Sequence, residues 1–234
     1  MTKHDAAGPG AGTMQAAQVG RGAGAGAGIM QAVRAADRAA RAAGLQTLPA
    51  RQPAPLQKVL AVCPGLEFLI DGTERPLRRP KDHQRRRDDY SGKRKRHTKK
   101  NIVITDKSSG KVLGLGPTHA GSRHDKACAD DDGYVFPGGS TLYKDTGFQG
   151  YEPEGVRTHQ PKRKPRCQEL TTGEKESNRL ISQVRVKVEH SIGGVKVFRI
   201  VADTFRNIKD GFVDLVLETA CGLFNLRLAS RVPA

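Results

Sequence analysis

The chain has 234 residues, with 40 Lys and Arg against 24 Asp and Glu, a formal net charge of +16 and a pI near 10.0. Its hydrophobic content of 36% suits one packed core with a good deal of unpacked chain, and the cation excess repels itself unless an anionic partner neutralises it, which points first to polyphosphates. A spanning helix is excluded, because it needs about 20 apolar residues, whereas Pro64, Gly65 and Glu67 cut Val59–Ile70, and Glu218 and Asn225 cut Leu215–Leu226.

The Lys and Arg residues are mixed with Asp, Gly and Pro instead of lining one face of an apolar helix, which argues against a membrane surface as partner. No apolar signal core follows Met1, so the cytosol is expected. Cys63, Cys128, Cys167 and Cys221 form no CxxC pair and have no His at zinc-finger spacing, so they read as reduced thiols.

Residues 1–55 are dominated by Ala, Gly, Arg and Gln, with a near Ala-Gly repeat over Gly20–Gly28. That composition offers little apolar surface against chain entropy and predicts a disordered tail ahead of a domain over 56–234. Within the tail, Ile29–Ala43 could form a helix, but its apolar face is nearly all alanine and would bury little.

From Leu56 the texture changes. Val59–Val62 is a short apolar run, and Leu66–Ile70 reads as a buried strand that finishes in the polar turn Asp71-Gly72-Thr73. The basic stretch Arg75–Lys100 has too few apolar residues for core. His97–Thr105 and Lys111–Gly116 read as a hairpin around Asp106-Lys107-Ser108-Ser109-Gly110. Ser122–Ala129 suits a short helix, capped by Ser122 with Asp125 in its first turn. Ser140–Lys144 reads as a strand, and it too is followed by an aspartate and a glycine, Asp145-Thr146-Gly147.

Val156–Gln160 is extended and leads into the basic loop Pro161–Arg166. Thr171 and Glu174 have capping-box spacing and open the longest periodic segment, in which Leu180, Val184, Val188, Ile192 and Val195 mark one buried face. Gly193-Gly194 would bend or end that helix. A last helix, Gly211–Ser230, carries Phe212, Leu215, Val216, Leu223 and Leu226 on its apolar side. The element order gives an α/β domain.

Two divalent ions about 4 Å apart can drive phosphodiester chemistry, and magnesium needs only a few hard oxygen ligands. If the strands before Asp71 and Asp145 are parallel neighbours, both carboxylates reach one edge of the sheet. A third acid must come from a packed helix. Glu174 and Glu176 lie in the opening turn, where capping and the helix dipole account for them. Glu189 lies well inside, and at 100° per residue Arg185, Glu189 and Lys196 fall within about 40° of one another. A surface ladder of ion pairs explains that stripe equally well. His124-Asp125 reads as local hydrogen bonding at the helix start, and Asp130-Asp131-Asp132 as a solvated loop.

Five runs then stand out: Ile70–Pro76, Tyr90–Thr98, Gly121–Asp125, Lys144–Gly150 and Arg185–His190. Together and in this order they closely resemble bacterial insertion-sequence transposases of the DDE superfamily with a harbinger-like endonuclease domain, over about Leu66 to Arg231. The resemblance implies a ribonuclease H-like mixed sheet flanked by helices, with Asp71, Asp145 and Glu189 as catalytic, metal-binding acids for Mg2+, or Mn2+ in its place. The Tyr, Arg, Glu, Lys helix signature of similar transposases maps onto Ser182, Arg185, Glu189 and Lys196, so the tyrosine is absent.

It also implies double-stranded DNA, both element ends and target, as partner, with copies assembling on DNA in the bacterial cytoplasm at the nucleoid. Arg185, Lys196, Lys93, Arg94, Lys95, Arg96, Lys162, Arg163 and Lys164 are the expected phosphate contacts, as the basic runs lie between the acids. Relatives carry an upstream helix-turn-helix domain, whereas residues 1–55 show no packed three-helix pattern. A truncated, catalytically inactive DNA-binding remnant is therefore the rival expectation. An RNA-binding protein is disfavoured by the 5% aromatic content.

Overall fold

A computed structural model describes residues 48–166, 168–206 and 211–231, with a few positions between 31 and 42. The Ala-Gly repeat and nearly all of the helix expected at Ile29–Ala43 lie outside the described residues, as does Cys167.

The core is a curled mixed sheet. Its long central strands are β1 (Glu67–Pro76) and β3 (Arg96–Asp106), paired antiparallel with Ile70 opposite Ile104 and Asp71 opposite Val103. On the far side of β1, β6 (Thr141–Tyr143) runs parallel to it, and β7 (Arg157–His159) runs parallel to β6. The outer side of β3 is lined by β4 (Val112–Leu115), β5 (His119–Ala120) and the short β2 (Tyr90–Ser91), all antiparallel. Parallel neighbours need a crossover, and the chain between β1 and β6 includes α3 (Asp125–Asp132), whose Cys128 and Ala129 are fully buried.

Two apolar clusters hold the layers together. Leu56, Leu60, Phe68, Ile70, Ile102, Ile104, Leu142 and Phe148 form one, and Val103, Val112, Leu115, Val195, Leu217 and Phe224 form the other. β3 thus contributes to both clusters, as expected of a strand covered by helices on two sides. The first cluster rests on α1 (Pro53–Ala61), which has prolines in its opening turn, where a missing amide proton costs nothing. The second rests on α4 (Thr172–Lys196), the short α5 (Arg199–Ala202) and α6 (Phe212–Ala229).

Several expectations need correction. β1 does not turn at Asp71-Gly72-Thr73 but continues to Pro76, because its pairing with β3 extends to Thr98. Val59–Val62 belongs largely to α1. The basic stretch contains α2 (His83–Asp88), capped by Asp82, whose side chain accepts from Arg85 N at 2.8 Å. α3 starts at Asp125 with His124 as N-cap, leaving Ser122 without a capping role.

The capping box at Thr171 and Glu174 is formed as predicted. α4 runs unbroken through Gly193-Gly194, and a methyl on Gly194 would collide with the Phe224 ring, so this glycine permits close helix packing. Leu180 is exposed, as are Leu223 and Leu226, while α6 buries Leu217, Ala220, Cys221 and Phe224 instead. Buried Asn225 of α6 accepts from Val112 N at 2.9 Å and donates to Val112 O at 2.8 Å, satisfying an edge of β4. Among the described residues no helix is long and apolar enough to cross a membrane.

Candidate active site

Asp71 lies in the middle of β1, and Asp145 follows the end of β6. Leu69 is the parallel partner of Tyr143, so two residues further along Asp71 and Asp145 occupy matching positions on neighbouring segments of the chain. The strands diverge there, because Asp145 starts a 3-10 turn (Thr146–Phe148) and its side chain accepts from Thr146 N at 2.5 Å. Its main-chain oxygen accepts from Gln160 Nε2 at 2.9 Å. Lys144, the residue before Asp145, is fully buried and donates to Tyr151 O and Glu152.

α4 crosses this pair. Arg185 is buried, and its Nη1 lies 3.6 Å from Asp145 Oδ1. Lys196, three turns on, is half-buried; desolvation and the nearby Arg94 push its ammonium below the ordinary lysine range, while Asp71 and Glu74 pull the other way. The Asp71 carboxyl is pushed up to about 6. Burial is the main cause, the Arg185 guanidinium and the Gly72 amide oppose it, and the negative charges of Asp145 and Asp125 add to it. Two carboxylates and two cations therefore face each other in a partly dry site.

Asp125, read from the sequence as a local helix-start residue, sits at this site. A methyl on Gly72 would come within 2.7 Å of its Oδ1, and one on Gly147 within 2.7 Å of its Oδ2. Lys100 Nζ lies 2.8 Å from Asp125 Oδ1, although that oxygen receives no well-directed hydrogen bond. The only sequence signal for this placement was the pair of glycines just after Asp71 and Asp145, whose reason becomes visible once the helix is docked.

Glu189 is exposed. It lies between Arg185 and Lys196 along α4 and about 40° around the helix from the first, at the solvent edge of the face that covers the aspartates. Among the described residues no three His, Cys, Asp or Glu side chains gather as a metal cluster. The fold thus brings Asp71, Asp145, Arg185 and Lys196 together, whereas Glu189 is exposed on α4.

The basic runs flank this face. Lys93 and Arg94, on the turn between β2 and β3, and Arg96, the first residue of β3, line a cleft of about 410 Å³ with Lys196, Glu74, Pro76, Thr98 and Ala202. Lys95 on the same turn is exposed in the left-handed conformation, with φ of 53°. At the other end of α4, Lys162 pairs with Glu174 and Lys164 with Glu169, and Arg163 is exposed. Arg185 is not displayed on the surface.

The family model for DDE superfamily endonucleases matches residues 70–225, a span that contains the aspartates, α3 and α4. The chain is 31% identical over 178 residues to the probable transposase for insertion sequence element IS702 of Microchaete diplosiphon. That alignment covers 75% of this chain and spans 63% of the relative. No solved structure matches the chain. With the family match running from the strand before Asp71 to the last helix, the chain belongs to the DDE superfamily endonucleases.

Proposed function

We propose that the protein is a transposase that cuts double-stranded DNA at insertion-element ends and joins the freed strand to target DNA, with Asp71, Asp145 and Glu189 as its catalytic acids. The observation that carries the reading is the matching placement of Asp71 and Asp145 on parallel neighbours, under a helix that bears Arg185, Glu189 and Lys196. The strand order β4, β3, β1, β6, β7, antiparallel up to β1 and parallel beyond it, supports a ribonuclease H-like fold.

The residues fit a divalent cation of the Mg2+ or Mn2+ type. Two hard oxygen donors adjoin, one of them desolvated and raised by its like-charged neighbours, and such ions bind through one or two carboxylates and keep several waters. Bound there, the ion would activate the attacking hydroxyl and stabilise the leaving oxygen. Glu189 reaches the site by a side-chain movement from the rim of α4. Arg185 balances the aspartates' charge.

The chain's own groups place the substrate. In the first step a water oxygen attacks phosphorus and the bond to the 3′ oxygen breaks, which leaves a 3′-hydroxyl; in the second, the oxygen of that hydroxyl attacks a target phosphorus, the target's own bond from phosphorus to its 3′ oxygen breaks, and the displaced target end takes up the proton as a 3′-hydroxyl. The cationic cleft beside Lys196 and the loop Lys162–Lys164 stand at opposite ends of α4. From Glu174 to Lys196 that is roughly 33 Å at 1.5 Å per residue, close to one turn of duplex. A duplex laid along the helix would contact both basic segments and present its backbone to the aspartates between them, with copies of the chain assembling on paired ends.

A cleavage assay on DNA carrying the element ends, with Mg2+ or Mn2+, tests the reading. Metal-dependent nicking that D71N, D145N and E189Q each reduce by at least a hundredfold is the expected result. DNA binding without metal-dependent cleavage would overturn the cleavage reading and leave a DNA-binding protein without turnover. In either case the protein would act where the DNA is, in the cytoplasm at the nucleoid.

A further inference from the structure

We propose that Asp125 is a positioning residue, a wedge between Gly72 and Gly147 that sets the separation of the segments carrying Asp71 and Asp145. Its two oxygens serve different partners: Oδ1 abuts Gly72, the residue after Asp71, and Oδ2 abuts Gly147, two residues after Asp145. Each approach is close enough that a single added methyl would stand 2.7 Å from a carboxylate oxygen. One side chain therefore gauges the gap between the two strands at the place where their pairing has ended.

The wedge is held from behind. α3 is anchored by fully buried Cys128 and Ala129, and by Asp132, which accepts from Tyr134 at 2.6 Å and pairs with His119 at 2.7 Å. Lys100, opposite Glu74 in the β1–β3 ladder, fixes the carboxylate laterally at 2.8 Å and is itself tied to Arg123 O at 2.6 Å. A carboxylate locked between two glycine backbones and a buried lysine suits a spacer better than a third metal ligand.

The consequence for metal binding rests on the proposed role of Asp71 and Asp145, and the test separates the two ideas. The full chain and its variants are titrated with Mn2+ by electron paramagnetic resonance, metal-free thermal midpoints are recorded, and metal-free crystal structures give the Asp71–Asp145 separation. G147A adds a methyl that widens the gap, and D125S removes the wedge. Each alone should weaken Mn2+ binding at least tenfold with little change in midpoint, and the double variant D125S/G147A, where the methyl refills the space, should recover most of it. D125N keeps the shape without the charge and should bind Mn2+ within about threefold of the parent.

A D125N variant as defective as D71N would make Asp125 a ligand and overturn the proposal. So would an Asp71–Asp145 separation unchanged in G147A, whether or not the parent binds Mn2+. A parent chain that binds no Mn2+ would sink the metal reading alone, with the separation in the crystals still deciding the wedge.

Discussion

Arg185 Nη1 lies 3.6 Å from Asp145 Oδ1, with the arginine side chain 11% exposed and the aspartate 30%. The same guanidinium is the strongest charge opposing the rise of the Asp71 carboxyl. Removing one partner of a buried pair leaves the other charge uncompensated. R185M should therefore lower the metal-free thermal midpoint at pH 8, by about 1 to 3 kcal/mol of stability for this partly exposed pair. Saturating Mn2+ should restore more of the loss in R185M than it adds to the parent. Equal metal-induced shifts in the two proteins would show that Arg185 does not balance the aspartates.

Asp71 gives a pH prediction. Its carboxyl titrates near 6 when folded against an ordinary 3.8, so the folded state holds the proton more tightly than the unfolded one. The sign follows from linkage. Ionising Asp71 costs stability at pH above about 6, and the cost fades as pH falls through 6 towards 3.8. At full ionisation the shift corresponds to roughly 3 kcal/mol. D71N should accordingly raise the metal-free midpoint at pH 8 and lose that advantage near pH 4. A variant less stable than the parent at pH 8 would contradict the desolvated environment.

The cleft beside Lys196 can be tested through salt. Lys93, Arg94 and Arg96 line it, and each phosphate neutralised contributes about −0.9 to the slope of log affinity against log salt. The triple variant K93A/R94A/R96A should make the slope for duplex DNA shallower by about 2 to 3. D71A/D145A should bind at least as well as the parent without metal, since the acids repel phosphate. An unchanged slope in the triple variant would remove this turn from the DNA surface.

Legibility in the sequence followed the range of the signals. The hairpin of β3 and β4, the capping box at Thr171 and the long α4 all rest on local chemistry, and they formed as read. The parallel pairing on which the meeting of Asp71 and Asp145 was conditional is present as well. What failed depended on neighbours distant in sequence. β1 passes through Asp71-Gly72-Thr73 because β3 offers it partners as far as Thr98. Gly194 looked like a helix breaker until Phe224 of α6 was placed against it. Asp125 looked local because Gly72 and Gly147 lie 53 and 22 positions away.

The start of the folded unit gives the last prediction. Composition sets the boundary at residue 55, yet Leu48 is buried and Ala50 joins the sheet edge, with its amide donating to Leu113 O at 2.8 Å and its oxygen accepting from Leu115 N at 2.9 Å. Arg51 then donates to Gly116 O at 3.0 Å and pairs with Asp214 of α6 at 2.5 Å, which ties the first described residues to the last helix. A chain beginning at Leu48 keeps all of these contacts, and its midpoint should match that of the full chain within about 2 °C, because the Ala-Gly-rich residues before it offer little apolar surface to bury. A chain beginning at Leu56 loses two sheet hydrogen bonds, the Arg51 to Gly116 hydrogen bond, one ion pair and a buried leucine, together about 2 to 4 kcal/mol. At about 2 to 4 °C per kcal/mol for a domain of this size, its midpoint should fall by roughly 4 to 16 °C. Thermal melts of the three purified proteins decide the matter: equal midpoints for the Leu48 and Leu56 chains would show that the strap from Leu48 to Arg51 adds nothing to the fold.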